Sequence, residues 1–116
     1  MTKRSHFAVL AAFAVFSLLA IVACSDNYAE SDSDIARGES KFASLGCKGC
    51  HTTGTNKLVG PGLAGIAARG DDYIRESITD PSVILAEGFA NLMPKTFSDL
   101  KDSELNDLVA YLKTLE

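Results

Sequence analysis

At 116 residues, with no Trp and three cysteines, the chain is too short for two full-sized domains. Once an apolar leader is set aside, it is also short of core-forming surface, so a covalent or cofactor staple is expected. The formal net charge of −4 becomes −6 when Lys3 and Arg4 of the leader are discounted. That excludes a nucleic-acid partner, because neutralising phosphates needs clustered Lys and Arg.

Lys3 and Arg4 open the chain, an apolar run follows from Phe7, and small residues lead to Cys24. This is the three-part layout of a secretory signal. The run is 17 residues long before Cys24, short of the ~20 that a spanning helix needs, so a signal cleaved after residue 23 is expected in preference to a permanent anchor. Ile21-Val22-Ala23-Cys24 resembles a bacterial lipoprotein cleavage box, in which the cysteine thiol is acylated and becomes the new first residue. Two or more acyl chains hold a protein stably on a membrane. The alternative is Cys24 as a small apolar residue in an uncleaved anchor. In both cases the domain is tethered on the periplasmic or extracytoplasmic side. Residues 24–34 then form an acidic tether, with Asp26, Glu30, Asp32 and Asp34 and no basic residue.

The folded part is expected over residues 35–116. Its first helix is predicted from Ile35 to Leu45, capped by Asp34 or Ser33, with Ile35, Phe42 and Leu45 on one side and Gly46 at its end. Gly38 on that side costs about 1 kcal/mol against Ala, which implies the close approach of another backbone or ring. A second helix is predicted from Asp72 to Thr79, stopped by Pro81, with Tyr73 or Ile74 and Ile78 turned inward. The last runs from Asp102 to Leu115, where Leu105, Leu108, Val109, Leu112 and Leu115 repeat at helical spacing. No segment alternates as a strand, so the fold class is all-α, with three or more short helices and long loops. Loops this long and rich in Gly pack on something, and the helices alone do not enclose a dry core.

Residues 47–51 read Cys47-Lys48-Gly49-Cys50-His51. In an exported protein, Cys-x-x-Cys-His is a c-type haem attachment site. One turn puts both sulfurs on the same side, within reach of two porphyrin vinyl groups, and His51 can point its ring at the iron. A thioredoxin-like disulfide would need a βαβ surround, and a zinc site four ligands from two separated pairs. A structural disulfide would close a tiny loop and stabilise little. One covalent haem c is therefore expected.

Without the leader the chain has one His, His51, and one Met, Met93, which lies 42 residues later beside Pro94. Elimination makes Met93 the second axial ligand. His/Met ligation raises the potential and closes the iron to substrates. If Met93 merely fills the core, the iron is open or takes another ligand.

Together these residues resemble a mono-haem class I cytochrome c over nearly all of residues 34–116. The marks, in the family's order, are Gly38 and Phe42, the Cys47 to His51 site, Gly60-Pro61-Gly62-Leu63, Met93-Pro94, and Val109-Ala110-Tyr111-Leu112. The resemblance implies that Gly38 and Phe42 cross the last helix near Tyr111 and Leu112, and that the Pro61 carbonyl accepts the Nδ1 hydrogen of His51. It puts Arg69 and Tyr73 where the family often supplies donors to the haem propionates, although Arg69 equally suits a surface charge and Tyr73 the core.

The second half is similar to the haem domain fused to some cytochrome oxidase second subunits, and to small cytochrome subunits of respiratory complexes. It departs from the former in having no copper-binding β-domain before it. Lys101 stands where such helices often have a capping Ser. The resulting expectation is a lipid-tethered electron carrier, free-standing or a subunit of a larger assembly, working between respiratory partners. Its negative charge predicts a basic docking face on a partner. The rivals are a haem enzyme or gas- or peroxide-binding protein with an open distal site, and a structural subunit.

Overall fold

The computed structural model describes residues 31–116. The leader, Cys24 and most of the acidic tether lie outside the described residues. Among these residues there are three α-helices, three short 3-10 turns and no strand. None of the helices is long and apolar enough to cross a membrane.

Helix α1 spans Asp32–Ser44 and starts earlier than its periodicity predicts. Neither Ser33 nor Asp34 is its cap. The Ser31 hydroxyl accepts from the Asp34 N–H, and the Asp34 carboxylate accepts from the Ser31 N–H, each at 3.3 Å. This reciprocal capping box moves the start upstream, into the segment read as tether. Those bonds to Ser31, with help from Arg37, hold the Asp34 carboxyl below its usual range. Leu45 caps the helix, after which Gly46 takes the left-handed conformation, φ 80°, that glycine adopts most readily.

Helix α2 spans Asp71–Thr79 and helix α3 spans Asp102–Leu112. Ile74 and Ile78 of α2 are buried, and the helix stops before the buried Pro81. Lys101 is the cap residue of α3, with its backbone N–H donating to Glu104 Oε2 at 3.3 Å. The periodic pattern of α3 continues to Leu115, but the helix does not. The Leu115 carbonyl accepts from the Gly65 N–H at 2.8 Å, a tertiary bond that draws the chain end across to the loop before α2.

The principal packing is α1 across α3. A Cβ at Gly38 would lie 2.6 Å from Tyr111 Cβ and closer still to the Asp107 carbonyl oxygen, so only glycine permits this crossing. Beside it the rings of Phe42 and Tyr111 meet at 5.6 Å between centroids, tilted by 52°. Burial pushes the Tyr111 phenol up. Asp107 is buried within α3 and accepts from Arg37 Nε at 2.9 Å and from Arg37 Nη2 at 3.0 Å, a bidentate clasp that raises the guanidinium's pKa. Lys41 pairs with Glu104 at the other end of the crossing. The core joins Phe42 to Ile74 and Ile78 of α2 and to Leu105, Leu108, Val109 and Leu112 of α3.

Candidate cofactor site

The helices enclose only one side of the core. Its other side is an apolar cleft with two adjoining lobes. Cys47, His51, Leu63, Tyr73, Ser77 and Met93 line both lobes, and Cys50 lines the larger.

The attachment motif gets its shape locally. Gly46 redirects the chain, Cys47–Gly49 form a 3-10 turn, and the N–H groups of Cys50 and His51 both donate to the Cys47 carbonyl, at 3.1 and 2.9 Å. Both cysteines are free and half-buried. Burial pushes the Cys47 thiol up, the opposite of the activated thiolate that a disulfide exchanger requires. Among the described residues no three or more His, Cys, Asp and Glu side chains gather as a metal site.

The loop after the motif folds back over it. The Gly60 N–H donates to the Cys50 carbonyl at 2.7 Å, and the Leu63 N–H to the Thr52 carbonyl at 3.0 Å. These bonds carry Gly60 and Pro61 over the His51 ring. His51 Nδ1 lies 2.9 Å from the Pro61 carbonyl oxygen, which can only accept, so Nδ1 carries the hydrogen. In the neutral ring Nε2 is then left with a free lone pair. A Cβ at Gly60 would stand 2.6 Å from His51 Cε1 and 2.9 Å from Nδ1, so glycine lets the backbone lie against the ring.

Met93 enters the cleft from the loop between α2 and α3, half-buried and packed against the core. Pro94 fixes the backbone beside it at φ −62°. Arg69 ends the 3-10 turn Ile66–Arg69, with its guanidinium carbon 4.2 Å from the centre of the Tyr73 ring. The two residues therefore form one cation–π unit, with Tyr73 at the cleft and Arg69 exposed.

Two residues are missing from the sequence-derived picture. Asp107 could have been noticed as an acid inside the apolar repeat of α3. Ser77, four residues after Tyr73 and so on the same helix face, has a fully covered hydroxyl with no hydrogen-bond partner. The signal was a small polar residue where the α2 pattern turns inward.

The donor set fits a c-type haem. Two cysteines and a histidine share one turn, a thioether faces the same cleft, and the rest of the lining is mainly apolar, with Tyr73, Ser77 and Asn91 as its other polar side chains. A comparison with curated proteins finds no match. The family model for cytochrome c matches residues 35–116, a family marked by covalently bound haem c and electron transfer. With its all-α architecture and single attachment motif, the chain belongs to the cytochrome c family and is a mono-haem member of class I.

Proposed function

We propose that this cytochrome carries single electrons between respiratory-chain partners while tethered to a membrane through acylated Cys24. Cys47 and Cys50 would hold the haem as thioethers, and His51 and Met93 would ligate its iron. The observation that carries this reading is that His51, its Nδ1 already engaged by Pro61, and Met93 line the same two cleft lobes.

A c-type haem supplies one-electron redox chemistry when bound. Pro61 and Gly60 fix the plane and tautomer of His51, which increases its donor strength. Met93 is a soft, neutral sulfur donor that favours the reduced iron. The apolar lining from Leu45, Leu63, Ile66 and Phe97 excludes water, and the Arg69–Tyr73 pair offers donors to the propionates. Val59, Leu85 and Leu92 line the cleft and are exposed, which suits a small, transient apolar contact. The charge of −6 without the leader steers the protein toward a basic docking face.

Mass spectrometry of the protein purified from its own membrane tests the covalent part. The expected mass carries one haem and an acylated Cys24 at the N-terminus. A mass without haem overturns the attachment, and an unmodified Cys24 or an intact leader overturns the lipid tether. A weak red-region charge-transfer band in the oxidised protein is expected from Met93 sulfur on iron. Its absence, with ready carbon monoxide binding, would favour an open-site enzyme or sensor.

A further inference from the structure

We propose that a polar groove on the far side of α3 from the cleft is the membrane-facing surface of the tethered protein, with Arg75 meeting phospholipid phosphates and the cleft turned toward the aqueous side. The inference rests on the acylation of Cys24 proposed above.

Helix α3 separates two concavities. Its Leu108 and Leu112 line the cleft, whereas Asn106, Asp107, Ala110 and, at its end, Lys113 line the groove, which Asp34 and Arg37 of α1 and Asp71 and Arg75 of α2 complete. The chain enters the fold at this groove. The capping box fixes Ser31 at the start of α1, one turn before Asp34, and Arg37 then pairs with Asp34 and clasps Asp107. Six residues, 25–30, separate Ser31 from Cys24. Even fully extended, that stretch carries Cys24 at most about 25 Å from Ser31. A domain of about 85 residues is about 30 Å across, so half-way round it is about 45 Å. The lipid therefore does not reach round to the cleft mouth, and it holds the groove side toward the bilayer.

The charge of the groove suits that side. Arg37, Arg75 and Lys113 face Asp34, Asp71 and Asp107 there, so these six sum to zero and the −6 of the protein without its leader lies on the rest of its surface. That acidic remainder is repelled by the negative potential of anionic lipids, and the groove is not. Two of its cations are committed to carboxylates, Arg37 to Asp107 at 2.9 Å and Lys113 to Asp71 at 3.2 Å. Arg75 differs. Its Nη2 donates to the neutral Asn106 Oδ1 at 2.6 Å, and among the described residues no ion pair neutralises it. A half-buried guanidinium held in place by one neutral acceptor keeps further N–H donors in the fork that matches a phosphate.

The test uses the acylated holoprotein in phosphatidylcholine vesicles and in detergent, with lysines labelled by an amine-reactive reagent and read by mass spectrometry. Lys113 marks the groove, and Lys95, next to the cleft-lining Pro94, marks the cleft side. Vesicles are expected to slow the labelling of Lys113 relative to Lys95 about tenfold, the effect of one charge-assisted hydrogen bond, and Arg75→Gln is expected to remove most of that protection. Vesicles of an uncharged galactolipid, which offers no phosphate, should protect Lys113 less. Equal labelling of the two lysines on phosphatidylcholine, protection of Lys95 instead, or undiminished protection in Arg75→Gln or on galactolipid overturns the inference alone. Protein that fails to float with the vesicles overturns the lipid tether as well.

Discussion

The His51 ring is held between two consecutive backbone groups: the Pro61 carbonyl oxygen, 2.9 Å from Nδ1, and the bare α-carbon of Gly60. One sets the tautomer and the other the plane. Both reach the ring because Gly60 also bonds back to the Cys50 carbonyl.

Gly60→Ala should therefore act on the cofactor through His51. A methyl 2.6 Å from Cε1 must push the ring or lift the loop, an overpacking cost of about 1–3 kcal/mol. Thermal unfolding of the holoprotein should register the loss, and the potential should shift with it. A variant matching the wild type in both would remove Gly60 from this role.

Gly38→Ala tests the helix crossing. Alanine gains about 1 kcal/mol in helix propensity, yet its Cβ would meet Tyr111 Cβ at 2.6 Å and the Asp107 backbone oxygen. Neither neighbour can rotate away, so net destabilisation of about 2 kcal/mol is expected, measurable by denaturant unfolding. Stabilisation would mean that α1 and α3 do not cross here.

Glu104 couples that crossing to pH. Its hydrogen bond from Lys41, then that from the Lys101 N–H, hold its carboxyl below the usual range. Because the folded pKa lies below the unfolded one, the pair's contribution is complete above the unfolded value of about 4.3 and is lost as pH falls through the folded value. The stability difference between wild type and Glu104→Gln should accordingly be largest near neutral pH and shrink in acid. A difference that persists unchanged in strong acid would show that the charge of Glu104 plays no part.

Met93→Ala removes the proposed second ligand without disturbing the attachment turn. The potential should fall, the red-region band should vanish, and carbon monoxide should bind the reduced iron. If the wild type already binds carbon monoxide readily, Met93 is not on the iron.

Steering by net charge predicts a salt effect. Between millimolar and physiological ionic strength, association with the partner should slow by about tenfold or more. Salt-insensitive turnover would assign docking to apolar residues such as Val59, Leu85 and Leu92 at the cleft.

Much of this protein is legible from local chemistry. The spacing from Cys47 to His51 is covalent bookkeeping over one turn, and helical periodicity finds α1, α2 and α3 because each buries one stripe. Gly38 stands out because a helix interior penalises glycine. Helix ends are less legible. Ser31 overrides the expected caps through a reciprocal bond with Asp34, and Leu115 leaves the helix for Gly65.

The sequence by itself determined the attachment motif, the one thioether within residues 31–116 and the all-α class, because those depend on residue type and short spacing. Only the tertiary structure decided that Arg37 clasps Asp107 across 70 positions, that Gly60 lies against His51, and that Ser77 faces the cleft without a partner. Those relationships arise when distant backbones meet, and no periodicity in the chain encodes which neighbour a side chain finds after packing.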